Sequence, residues 1–169
     1  MNIKQGDYVV RVELPGNKIE EDINEELTDY SIDEPFEIAE AMSKQATRYY
    51  KWATWAKDAR KVVVTLDREF ETWYAKATKK VREVLIRKEG NSRPTKDDLK
   101  NGITIYFNKS LIAWQEKIDR AKEDLEILEI AVKANTVKQA MIVSCGQLVS
   151  RLIDSGNLVV KDKRLSNRR

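Results

Sequence analysis

Residues 34–88 read EPFEIAEAMSKQATRYYKWATWAKDARKVVVTLDREFETWYAKATKKVREVLIRK, and one apolar line runs through them. It passes Met42, Ala46, Tyr49, Ala53, Ala56, Ala59, Val63, Leu66, Phe70, Trp73, Ala77, Val81 and Val84 in steps of three and four. Twelve steps cover 42 residues, a mean of 3.5. That is the heptad period of a coiled coil rather than the about 3.6 of an isolated amphipathic helix. No Pro or Gly interrupts it after Pro35. As one helix the stretch would be roughly 80 Å long, at about 1.5 Å per residue. Such a helix cannot cover its own stripe, so the rest of the chain must supply a partner.

The partner begins near Lys109. Leu111, Trp114, Ile118, Ala121, Leu125, Leu128 and Val132 repeat the three–four spacing. The line then continues through Val137, Met141, Cys145, Leu148 and Leu152 to a stop at Ser155-Gly156-Asn157. An antiparallel hairpin turning within residues 89–108 pairs positions whose numbers add to about 195. Trp73 then faces Ala121, Ala77 faces Ile118 and Phe70 faces Leu125, large against small as close packing requires. Tyr49 falls near Cys145 and Gly146, and Gly146 would make room for its ring. The second helix carries more apolar surface than one seam uses: Ala131 and Ala134, and also Ile127, Ile130, Ile142, Val149 and Ile153, the five assigned to oligomerisation. A face that wide is expected to drive self-association. The fold class expected is therefore all-α: a long antiparallel, coiled-coil-like helical hairpin over 34–156 that assembles into a homo-oligomer. A short β-tinged arm (1–33) precedes it and a basic tail (157–169) follows.

The flanks are read from local signals. Tyr8 to Leu14 alternates like a strand and ends at Pro15-Gly16-Asn17. One strand needs a mate, and Leu158-Val159-Val160 is a candidate. Glu20 to Glu26 reads as acidic loop or a short helix. Ser31 and Glu34 have capping-box spacing and Pro35 suits a first helical turn. Gly90, after Arg87 and Lys88, is a stop signal. Thr95 can cap a short helix from Lys96 to Asn101, closed by Gly102. Ile103 to Phe107 fits either a strand or the start of the next helix.

Charge divides the chain. Residues 1–40 carry three basic and twelve acidic side chains, and the other 129 carry 28 basic and 16 acidic, so −9 is followed by +12. Such a split points to a polyanionic partner and an acidic arm that competes for the same basic surface or meets a basic partner. There is one cysteine, Cys145, on the apolar line, where a buried inert thiol is expected. A reducing compartment, here cytoplasmic, is expected from that count. No secretory leader and no membrane span are expected. The chain has no histidine and no phosphate-loop motif, so no catalytic site, metal or cofactor is expected.

Between Trp73 and Arg93 stand Lys76, Lys79, Lys80, Arg82, Arg87, Lys88 and Arg93 against only Glu83 and Glu89. Lys76, Lys80 and Arg87 share one helical face, flanked by Lys79 and Arg82. Tyr74 lies beside the apolar stripe. A cationic groove with aromatic platforms holds single-stranded nucleic acid without reading its sequence. The competing reading is a Lys/Arg-rich helix end that favours the helix dipole and keeps a structural coiled coil in solution. Arg48, Lys51, Trp52, Trp55, Lys57, Arg60 and Lys61 form a second basic–aromatic mix. There, packing against a second seam or subunit is favoured over base stacking.

A layout of long charged helix, WYAKA stretch (Trp73–Ala77), GNSRPTKDDL loop, heptads from Trp114 to Ala134 and a QAMIVSCGQLVSRL tail resembles the UvsY-type recombination mediators of phages. The likeness covers roughly residues 33–155. It implies a small, non-enzymatic, ring-forming protein in the host-cell cytoplasm. Such a protein binds single-stranded DNA, remodels the single-strand DNA-binding protein and loads a RecA-like recombinase. It implies DNA contacts at Lys76, Lys79, Lys80 and Arg82, and oligomerisation through about Val137 to Asp154. The acidic arm and basic tail depart from the family pattern. The reading from another class is a structural coiled-coil scaffold with no DNA role.

Overall fold

In the computed structural model, which describes residues 9–23, 26, 35–88 and 93–156, Pro15 and Gly16 turn the arm back on itself. Strand β1 (Val9–Leu14) pairs antiparallel with β2 (Asn17–Asp22), Val12 opposite Ile19 and Arg11 opposite Glu20. Proline presets φ for the first turn position and Gly16 takes φ 82°, the left-handed value a type II turn needs at its second. The mate of the strand is thus the adjacent NKIEED segment, which the sequence reading took for acidic loop or short helix. That segment has a single apolar residue, Ile19, so alternation is hard to see. Paired with Val12 it is enough, and both are 2% exposed. On the other face Arg11 Nε donates to Glu20 Oε1 at 3.0 Å. Leu158–Val160, Ser31–Glu34, Gly90 and the basic tail lie outside the described residues.

Helix α1 spans Pro35–Lys88 without interruption, and α2 spans Lys96–Asp154. The described chain forms two compact units. The first joins the β-hairpin and α1 up to Ala56 with α2 from Ile127 onward, and the second holds residues 57–126. The β-hairpin of the arm belongs to the first unit. In each unit α1 and α2 pack antiparallel, as expected. The register is different. Val81 meets Gly102 and Trp73 meets Trp114 in the second unit, and Gln45 meets Asn135 in the first. These pairs add to between 180 and 187, not about 195. The cause is the place of the turn. Thr95 caps α2 by accepting from the Asp98 amide (3.2 Å), while its own amide donates to Asp98 Oδ2 (2.9 Å). This reciprocal cap starts α2 before, not after, residues 96–108.

Gly102 does not close that helix. It lies inside α2, where a Cβ would stand 2.3 Å from Val81 Cγ1. The glycine is there for close approach of the two helices. Ala77, Val81, Leu85, Leu99 and Ile103 form the core around it, edged by Trp73, Tyr74, Phe107 and Leu111. Ile103 to Phe107 is helical, with a break at Phe107 (φ −128°, ψ 21°) that kinks α2.

In the second unit the apolar line of α1 is buried as expected at Ala59, Val63, Leu66, Ala77 and Val81. In the first unit it is displaced by one residue. Ile38, Ala41, Gln45 and Trp52 are buried while Met42, Ala46 and Tyr49 are exposed, and the expected line is rejoined at the buried Ala56. On α2 the expected Leu128 is buried and Cys145 half-buried, but Ala131, Asn135, Lys138, Ile142 and Val149 are buried off the expected line, while Val137, Met141 and Leu148, each one residue before a buried position, are exposed. Ile142 and Val149, assigned from sequence to oligomerisation, pack against Ile38 and Ala41 inside the unit. Gly146 makes no room for Tyr49. Its nearest neighbours are Ile38 and Met42, each 3.9 Å from a built Cβ.

Gly102→Ala tests the close approach. Alanine would add about 1 kcal/mol of helix propensity, yet Val81 is stiff and fully buried, so overpacking of about 1–3 kcal/mol should win. The melting temperature should fall, and adding Val81→Ala should recover part of the loss. A stabilised single variant would refute the packing described.

Candidate nucleic-acid interface

The second unit carries an aromatic hub at the seam. Heptad spacing on α1 brings Phe70, Trp73 and Tyr74 to the edge of the core, and α2 returns Phe107 and Trp114 to the same place. Phe70 and Trp73 stack at 5.7 Å with their planes 25° apart. Trp73 lies 6.5 Å from Trp114 and 6.5 Å, edge-on, from Phe107. Phe70 also reaches Trp114 at 6.2 Å. All five rings are half-buried, so each keeps part of its surface open. Offset and edge-to-face contacts at these distances add about 0.5–1.5 kcal/mol per pair beyond area burial.

Three hollows surround the hub, and each pairs rings with cations. Arg68, Glu69, Lys76, Trp73 and Trp114, with Thr65 and Thr72, line one of about 440 Å³. Ser110, Ala113 and Lys117 line a second of about 300 Å³ beside the same two tryptophans. Lys80, Glu83, Val84, Arg87 and Phe107 line a third of about 360 Å³. Lys117 Nζ sits 5.3 Å from the Trp114 ring centroid, a cation–π contact. Cations outnumber carboxylates by one in each hollow. No Asn or Gln lines any of the three, and the Thr65 and Thr72 hydroxyls donate to carbonyls of their own helix. The surface thus offers rings and positive charge, with little to read a base edge.

The residues expected from sequence divide among these features. Lys76, Lys80 and Arg87, placed on one helical face, all line hollows and are exposed. Tyr74 is half-buried and packs against Phe70 and Trp73. Lys79 and Arg82 are exposed but line none of the three hollows. Lys88 is the last residue of α1. Sequence reasoning missed Arg68, Phe107, Trp114 and Lys117 as members. Their types were visible, but only the helix register brings them beside Trp73.

The second basic–aromatic mix takes a different form. Trp52 is fully buried in the first unit, and its Nε1 donates to Glu26 Oε2 at 2.6 Å. Trp55 meets it edge-on at 5.2 Å and stays half-buried. Trp52 is thus packed inside the unit, with its indole N–H on the arm, and is closed to base stacking. The arm reaches this mix through Glu26 and Glu21, both held by Lys51. Among the described residues no group of three or more His, Cys, Asp or Glu side chains could hold a metal ion. Among them too, no helix is long and apolar enough to cross a membrane.

Compared with protein-family models, curated proteins and solved structures, the chain matches none.

The four tryptophans should differ in solvent access. Acrylamide quenching of the intact protein should fall when Trp73 or Trp114 is replaced by Phe. It should stay nearly the same for Trp52→Phe, because that indole is sealed. Equal quenching losses for all three would contradict the exposures described.

Proposed function

We propose that this protein binds single-stranded DNA across the aromatic hub of its second unit. We further read it as a non-enzymatic recombination mediator that loads a RecA-like recombinase in the presence of a single-strand DNA-binding protein. The observation that carries DNA binding is the alternation of half-open rings, Trp73, Trp114 and Phe107, with Arg68, Lys76, Lys80, Arg87 and Lys117 around them. Bases stack on any ring, and phosphates meet the cations, so binding is tolerant of sequence. The mediator role rests on the resemblance to UvsY-type proteins.

Self-association supports this reading, because a weak basic patch repeated in an oligomer gains avidity. The candidate interface is the second apolar line of α2. Ile127, Ile130, Val137, Met141 and Leu148 recur at heptad spacing and are all exposed, Val137 at 60%. Ile153, exposed as well, lies off that line. The purpose of an exposed heptad line beside a buried one is to take a second helix.

Two measurements test the two parts. Anisotropy titration of labelled oligothymidylate should show affinity falling with salt, with a log–log slope of about −0.7 for each phosphate contact per subunit. Trp73→Ala and Trp114→Ala should each weaken binding about 5- to 100-fold, the worth of one stacked base. Lys76→Ala with Lys80→Ala should flatten the slope by about 1.4. A protein that ignores the oligonucleotide at low salt is a structural coiled coil instead. In light scattering, Val137→Glu with Met141→Glu should bring the mass to the 19.6 kDa of one chain while helix content is kept. An unchanged mass would place the interface elsewhere.

A further inference from the structure

Glu26 of the arm is held by three basic side chains. Its carboxylate accepts from Lys51 Nζ at 2.5 Å and from Trp52 Nε1 at 2.6 Å. Its main-chain oxygen accepts from Arg48 Nη1 at 3.2 Å and from Lys138 Nζ. Its side chain is only 12% exposed. Lys51 also meets the Glu21 carboxylate at 3.4 Å and stands 5.3 Å from the ring centroids of both Trp52 and Trp55. Three basic side chains from two helices thus converge on one acidic residue, beside a half-open indole.

We propose that Arg48, Lys51 and Trp55 form a second site for the phosphodiester backbone of single-stranded nucleic acid, and that Glu26 of the acidic arm occupies it in the free protein. A phosphate would replace the Glu26 carboxylate at Lys51, and a base would stack on Trp55. The neighbouring indole favours nucleic acid over an acidic protein segment, because an aspartate or glutamate has no ring to place there. A tethered carboxylate acts as a competitor at high effective concentration, so the strand binds only in proportion to the fraction of sites it has left. The inference extends the single-strand reading to the first unit and stands on residues separate from the hub.

The test uses the full chain and labelled oligothymidylate. Glu26→Gln keeps the shape and removes the charge. It should tighten binding about 3- to 10-fold at low salt and steepen the salt slope by about 0.7, the increment for Lys51, the one cation that its carboxylate holds. The gain should vanish when Lys51→Gln or Trp55→Ala is added. Glu21→Gln, on strand β2, should give a smaller gain in the same direction, and serves if Glu26→Gln does not fold. Unchanged binding in both Gln variants overturns the proposal, as does a gain that survives Lys51→Gln, since that would be general charge. Polyglutamate that reverses the gain as well as unlabelled oligothymidylate would assign the site to an acidic protein segment and overturn it too. Binding by Glu26→Gln through Lys51 and Trp55, but none by the wild type, would uphold this site and remove the hub. Wild-type binding through Trp73, with silent Gln variants, would do the reverse.

Discussion

The molecule depends on which side of each helix faces the other. In the first unit that choice is made by polar residues. Gln45 Nε2 donates to Asn135 O at 2.8 Å and to Asn135 Oδ1 at 3.1 Å, and Asn135 Nδ2 donates to the Ala131 carbonyl at 3.1 Å. Lys138, almost fully buried, donates to the Glu26 carbonyl. Gln45 Oε1 is buried with no partner among the described residues, a cost of about 1–3 kcal/mol. A buried polar layer of this kind weakens a helical seam but fixes its register, because any slip would leave several amides unpaired.

Two consequences follow from that phase. The buried heptad positions run from Leu128 to Val149, through Asn135 and Lys138, with Cys145 half-buried among them. The apolar residues one position earlier, Val137, Met141 and Leu148, are turned outward. The arm is drawn in as well, since Glu26 supplies the acceptor that a buried Lys138 requires. A two-stranded ribbon has no interior of its own, so the burial of Val12 and Ile19 comes from the unit it joins. In the second unit the constraint is steric. Gly102 lets α2 close on Val81, and this approach brings Phe107 and Trp114 to Trp73.

The hub and the arm site share a chemistry with opposite settings. Around Trp73 the cations surround rings that are half open, and Glu69 and Glu83 are in the minority. Around Trp52 the indole is sealed and carboxylates of the same chain already sit on Lys51. The −9 and +12 halves of the sequence therefore meet within the first unit, and the second unit keeps its cationic hollows clear of the described arm residues.

Local chemistry was enough to establish a good deal. The heptad spacing specified two long antiparallel helices, Thr95 was legible as a cap, though of a short helix ending at Gly102, and Pro15-Gly16 ended a strand. Lys76, Lys80 and Arg87 could be placed on one face because helical geometry depends only on spacing. What apolarity could not show was phase where the core is polar. Gln45, Asn135 and Lys138 look like surface residues in a sequence, so the line was traced through Met42, Tyr49, Val137 and Met141 instead. Their burial is stable only once partners across the seam satisfy them, and partners exist only in the folded chain. The same holds for the β2 segment, whose single Ile19 counts only opposite Val12, and for Trp114 and Lys117, which join Trp73 through a register set by where α2 begins. Spacing along one helix is local physics, legible in one dimension. The choice between two apolar lines a single residue apart is made by contacts between distant segments, and the tertiary structure alone makes it.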